Sequence, residues 1–207
     1  MDDFNYIEDL AERYPDLAYL SGCVSAVVEK MLECYHSGGR ILICGNGGSA
    51  ADAEHISGEL LKGFISKRHP DGEELDKLVM ALGNKGERLQ RGIPAIPLTS
   101  LTSVLSAFAN DVDPELVFAQ LTYALGKPGD VLICLSTSGN SKNVVAAARV
   151  AREMGITTVA LTGESGGELR EICDITLATP ESETYKVQEY HLPIYHAICA
   201  EVERILF

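Results

Sequence analysis

No stretch of this 207-residue chain approaches the ~20 consecutive apolar residues that a membrane-spanning helix needs. The acidic N-terminus lacks the apolar segment of a secretory signal. No two cysteines stand at CxxC spacing, so the usual sequence signs of a redox pair or a zinc knuckle are missing. Cys23, Cys34, Cys44, Cys134, Cys173 and Cys199 are scattered along the chain. They read as small buried apolar residues of a reduced, cytoplasmic protein. Basic residues are scarce, 17 against 30 acidic ones, for a net charge of −13. That balance argues against a general nucleic-acid binder and against docking on an acidic membrane. Phosphate binding stays open, because it depends on local donors.

The chain does have 46% hydrophobic residues, enough for one good core and a single domain over 1–207. The patterning predicts helices over 5–14 and 16–37, the second with an apolar stripe through Leu17, Leu20, Val24, Val27, Val28 and Met31. Apolar runs read as buried strands at 40–44, 93–98, 131–135, 157–161 and 172–177. Helices are expected over 49–62, 101–109, 114–125, 141–154 and 183–206. Residues 66–91 are dense in charge and broken by Gly72, Gly83 and Gly86; they read as an exposed insertion with one short helix near 73–82. Alternating strands and helices indicate an α/β fold, a doubly wound parallel sheet covered on both faces, with long helices near both ends. In such sheets ligands sit at the carboxyl ends of the strands.

Two turns fall at that edge. Cys44-Gly45-Asn46-Gly47-Gly48-Ser49 joins a strand to a helix and frees backbone N–H groups at a positive helix end. Ser136-Thr137-Ser138-Gly139-Asn140-Ser141 does the same with four hydroxyls. Simple N-capping would need only one such residue. With no lysine in either turn, a sugar monophosphate fits better than a nucleotide, and no nucleotide or organic cofactor is expected. Past the first turn, His55 and Glu59 are four apart and share a helix face. Gln188 and His196 lie about two turns apart on the last helix, roughly 80° apart around it, with Pro193 expected to kink the helix between them.

Together, Cys44–Ser49 with Asp52, His55 and Glu59, the Ser136–Ser141 loop, Phe108-Ala109-Asn110-Asp111, and Gln188-Glu189-Tyr190-His191 followed by His196 resemble the sugar isomerase (SIS) domain family. Within it the likeness is to the heptose phosphate isomerases. It covers about 16–65 and 93–207. It implies a flavodoxin-like SIS sheet and an aldose–ketose isomerase acting on sedoheptulose 7-phosphate. Such a reaction needs one base for a carbon-bound proton and a partner that moves a proton between two oxygens.

The resemblance implies Glu59 as that base and His196 as the acid/base. Asn46, Gly47, Gly48 and Ser49 would line the sugar, Asn110 and Asp111 would bind its hydroxyls, and Ser136, Thr137, Ser138 and Ser141 would take the phosphate. Gln188 would bind substrate. His55, Glu59, Gln188 and His196 also resemble the zinc site of some members, which leaves the use of Zn2+ open. A homotetramer with shared active sites is implied as well; the stripe on 16–37 must bury against something. Three departures put the exact sugar in question: the long 66–91 insertion, Tyr185 where an Asp is usual, and Pro193. The alternatives are another sugar phosphate, or a non-catalytic SIS module that binds a phosphosugar or a replication initiator. Modules of that kind lack the acid/base pair that Glu59 and His196 would form.

Overall fold

The computed structural model describes residues 4–207; residues 1–3, counted in the single domain expected above, lie outside them. Five parallel strands form one sheet in the order β2-β1-β3-β4-β5, with β1 Ile41–Gly45, β2 Ala95–Pro97, β3 Val131–Leu135, β4 Thr157–Thr162 and β5 Ile175–Ala178. Alternate residues sort to opposite faces. Ile41, Ile43, Val131, Ile133, Val159 and Leu161 meet helices α1 Tyr6–Arg13, α2 Ser21–His36, α3 Gly48–Leu61 and α9 Thr184–Leu206. Leu42, Cys44, Leu132, Cys134 and Ala160 meet α6 Val117–Leu125 and α7 Lys142–Glu153. Between these helices come α4 Gly72–Leu82, α5 Thr102–Asp111 and the short α8 Leu169–Ile172.

The architecture follows the expected one, with local differences. The helix expected from 16 begins as a 3-10 segment, Pro15–Leu20, and turns α-helical only at Ser21. The strand expected from 172 starts at Ile175, because Ile172 closes α8. The apolar stripe does not await a second subunit: Val24, Val27, Val28 and Met31 are at most 3% exposed within this one chain. It therefore carries no argument for oligomerisation.

The 66–91 segment contains α4 and a 3-10 segment, Gly83–Arg88, and Arg91 pairs with Asp71 and Glu74 across its base. It is not solvated throughout. Arg68 is buried, with Nε 2.5 Å from Glu203 Oε1, and donates to the carbonyls of Leu60 and Glu59. Glu203 also accepts the backbone N–H groups of Phe64, Ile65 and Ser66. This buried pair fixes the chain where α3 ends.

Helix α9 runs through Pro193 unbroken. A mid-helix proline costs ~3 kcal/mol or more. Full burial of Val187, Ile194, Ile198 and Val202 contributes about 1.5–3 kcal/mol each and outweighs it. Four of the six free cysteines are buried, while Cys23 and Cys173 are half-buried. Among the described residues, no helix is long and apolar enough to cross a membrane.

Candidate active site

β1 pairs with β3 in register from Ile41–Val131 to Gly45–Leu135. The turns that follow both strands therefore open side by side. The chain leaves β1 toward β2 on one side, and β3 continues the sheet on the other. This is the point where strand order reverses, the usual ligand crevice of such sheets.

Gly47 at the first turn has φ +56°, a left-handed backbone that favours glycine. At Gly48 the need is space: a Cβ would lie 2.5 Å from Gln188 Nε2. Gln188 thus packs onto the turn, and α9 runs alongside α3. The two turns are joined by Asn46 and Asn143, whose amides exchange two hydrogen bonds of 2.9 Å.

In the second turn, Ser136 Oγ and Ser141 Oγ are 2.9 Å apart. Ser141 occupies the N-cap position of α7, yet its side chain makes no capping bond. The hydroxyl closes the loop, and the positive start of α7 has no side-chain cap. An anion fits there better than ordinary capping does. Asn140 N donates to Ser138 Oγ, and a neighbouring loop braces the turn through Gly163 N to Thr137 O and Leu169 N to Gly139 O.

Two turns further along α3, His55 meets α9. Its Nε2 lies 3.2 Å from Glu59 Oε1 and 3.4 Å from His196 Nε2, and its Nδ1 is 3.0 Å from the Tyr195 hydroxyl. Tyr195 also donates to Asp52 Oδ1 at 3.3 Å. Lys62 donates to Glu59 Oε2 at 2.8 Å. Burial pushes the Glu59 carboxyl up, but the hydrogen bond and charge of Lys62, with His55, pull it below its ordinary value. Glu59 is therefore ionised at neutral pH. Burial, then the neighbouring His55, lowers His196, so this imidazole is neutral there and can both take and give a proton. Burial raises Asp52, opposed by the hydrogen bond from Tyr195. On its far side His196 borders a cavity of about 260 Å3, shared with Arg13, Tyr14, Phe64, Leu192 and Ala200.

The structure thus gathers His55, Glu59 and His196. Gln188 stands apart on Gly48, about 12 Å along the helix axis from His196. Asn110 and Asp111 hydrogen-bond to each other at 2.8 Å at the exposed end of α5. They face an open groove with Thr102, Ser103 and Ser106, and no hydrogen bond joins them to the other candidate residues among those described. For a zinc ion the donors fit in kind. The two separations from His55 match the ~3.3 Å edge of a tetrahedron with bonds of about 2.0–2.1 Å. As a set they are not assembled: among the described residues, no group of three or more His, Cys, Asp or Glu side chains is arranged to hold a metal.

Sequence reasoning missed Asn143, Lys62 and Tyr195. Lys62 was within reach, three residues past Glu59 on the same helix. Asn143 and Tyr195 meet partners 97 and 140 residues away, and no local signal marks that.

Comparison with known proteins identifies the family. The SIS domain model matches residues 5–91 and 77–163. A phosphoheptose isomerase of Roseiflexus sp. is 43% identical over 184 residues, 89% of this chain and 82% of the relative. One from Akkermansia muciniphila is 37% identical over 98% of this chain and 96% of its own length. The solved phosphoheptose isomerase of Neisseria gonorrhoeae superposes with a TM-score of 0.74 at 34% identity, covering 94% of each chain. The chain therefore belongs to the SIS domain family, in its phosphoheptose isomerase branch.

Proposed function

We propose that this protein interconverts sedoheptulose 7-phosphate and D-glycero-D-manno-heptose 7-phosphate. Its relatives support the coarser reading, a phosphosugar isomerase. The observation that carries the finer one is the pairing of an ionised Glu59 with a neutral His196 around His55, on a helix that starts beside a hydroxyl-rich anion loop. With the phosphate on Ser136, Thr137, Ser138 and Ser141, an extended sugar reaches down α3 to place its carbonyl end at Glu59. His55 lies about 10 Å along the helix from Gly48, a span that suits a long sugar chain better than a triose.

Glu59 removes a proton from C1 of the ketose, and the C–H electron pair becomes the C1–C2 double bond. The carbonyl π pair moves onto O2, which takes a proton from His196. His196 then takes the proton from O1 as the aldehyde forms, and Glu59 returns its proton to C2. Asn46, Gly47, Gly48, Ser49 and Gln188 bind the sugar at the first turn. Asn110 and Asp111, remote within one chain, would serve as hydroxyl ligands only from a neighbouring subunit.

His55, Glu59 and His196 would hold a Zn2+ ion, with Gln188 as a fourth ligand after a side-chain rotation; such an ion polarises the carbonyl. A homotetramer is part of the same reading. Support comes from α4 and α5, which bury no side chain and, with Val112 just past α5, leave Met80, Leu82, Val104 and Val112 exposed. A cytoplasmic location fits phosphorylated substrates.

The test is conversion of sedoheptulose 7-phosphate by purified protein, before and after chelation, beside Glu59→Gln and His196→Ala. Turnover that both substitutions abolish supports the reading. Tight phosphosugar binding without turnover of any ketose phosphate would reject it. Full activity in stringently metal-free protein would remove zinc. Light scattering that gives a monomer would remove the tetramer.

A further inference from the structure

We infer that Asn140 is a positioning residue of the anion loop: its side chain staples the loop to the glycine turn after β4, and that turn aims the loop's donors. This rests on the reading of residues 136–141 as the phosphate site. The turn covers 163–168, between β4 and α8. Gly163 N donates to Thr137 O at 2.9 Å, and just past the turn Leu169 N donates to Gly139 O at 3.0 Å. Asn140 fills the gap between these bonds. Its Oδ1 accepts Glu168 N at 2.9 Å, and its Nδ2 donates to Ser138 O at 2.9 Å. Only this orientation of the amide satisfies both partners, one a donor and the other an acceptor. Each carbonyl from 137 to 139 is thereby held. The two backbones meet with no side chain between them. Gly139 and Gly167 have φ of +68° and +54°, and a Cβ on either would overlap the backbone of the other segment.

Peptide planarity carries this brace to the ligand side. No described peptide bond is cis, so each C=O and the N–H that follows it point in opposite directions. Holding Thr137 O on Gly163 turns Ser138 N–H away from the brace. Holding Ser138 O on Asn140 fixes the next plane, whose Gly139 N–H closes onto Ser136 O at 2.9 Å. Both planes that flank Ser138 are then set. The N–H groups of Thr137, Ser138 and Ser141 have no acceptor among the described residues, and successive free N–H groups of this kind form an anion-binding concavity. Without the Asn140 amide the second plane is free to rotate, and the donors lose their common direction. Asn140 is exposed, so its partners reach water when it is removed, and the loss falls on order in the loop rather than on folding. Asn140 and Glu168 are 28 residues apart, and no local pattern announces the staple.

The test uses full-length protein and inorganic phosphate, titrated at constant ionic strength, with the rise in melting temperature giving its Kd. Asn140→Ala is expected to bind phosphate about tenfold more weakly, the equivalent of one to two net hydrogen bonds. Its melting temperature without phosphate should stay close to wild type. KM for sedoheptulose 7-phosphate should rise by the same factor while kcat stays within a few-fold, a split that a merely structural role would not produce. Gly167→Ala, which pushes the turn off Ser138, should weaken phosphate in the same direction and by more. If that variant does not fold, the exposed Asn140→Ala still decides. Wild-type phosphate affinity in folded Asn140→Ala would overturn the inference, and so would a fall in kcat with KM unchanged. A wild type that phosphate does not stabilise would reject the anion loop itself, and the inference with it. The titration needs no turnover, so its outcome is separate from whether the enzyme isomerises sedoheptulose 7-phosphate.

Discussion

The side-chain amides of Asn46 and Asn143 exchange two hydrogen bonds of 2.9 Å and tie the glycine turn after β1 to the first turn of α7. The group proposed to hold the sugar and the group proposed to hold the phosphate are therefore one unit. Each hydrogen bond contributes about 0.5–1.5 kcal/mol. Asn143→Ala is expected to raise KM for the sugar phosphate roughly tenfold while leaving kcat within a few-fold. Asn143→Asp should be worse than Ala, because it places a negative charge beside the phosphate. Steady-state kinetics on the two variants checks the order; an Asp variant that binds as well as wild type would separate Asn143 from the anion site.

A side chain at Gly48 would collide with the end of Gln188, 2.5 Å away. The flexible amide can swing aside, so Gly48→Ala should fold with near-normal stability. It should still displace Gln188 from the sugar side, and a misplacement of about 1 Å costs up to 10²-fold in rate. The expected result is a melting temperature close to wild type with kcat/KM reduced at least tenfold. Unchanged kinetics would mean that Gln188 is a packing residue.

Glu203 and Arg68 show what sequence could and could not disclose. The α/β alternation, the two strand–turn–helix loops and the His55–Glu59 spacing were legible because each is a local pattern of period or composition. The 66–91 charges looked uniformly solvated, yet Arg68 is buried against Glu203, 135 residues away. A charge run does not reveal which member is captured by a distant helix. Ile172 misled for a related reason: a short apolar run reads alike at a helix end and in a strand. The stripe on 16–37 was read as a face that must bury against something, and it does so within this chain, on α9, β5 and α1.

That buried pair has its own consequence. Removing one partner of a buried ion pair typically costs about 3–5 kcal/mol. Glu203→Gln is expected to lower the melting temperature by about 10 °C and to loosen the 64–66 segment that places Phe64 beside His196. Calorimetry and hydrogen exchange over 60–68 measure both effects.

His191 governs acid stability. It is fully buried on α9, and burial lowers it to about 4 from an ordinary 6.5. Between those values the unfolded chain binds a proton that the folded chain does not, so stability falls as pH falls from about 6.5 to 4 and is lost no further below that. The gap corresponds to about 3 kcal/mol. Denaturant titrations from pH 7 to pH 4 should show this loss in the wild type and a flatter profile in His191→Gln. Equal slopes would remove His191 as the source.

Proton transfer through Glu59 is the central claim, and isomerisation in D2O tests it most directly. Sedoheptulose 7-phosphate incubated with the enzyme should yield D-glycero-D-manno-heptose 7-phosphate with solvent deuterium at C2. Glu59→Gln should abolish both product and exchange. Product formed by the wild type without carbon-bound deuterium, or a Glu59→Gln variant that still exchanges, would contradict it.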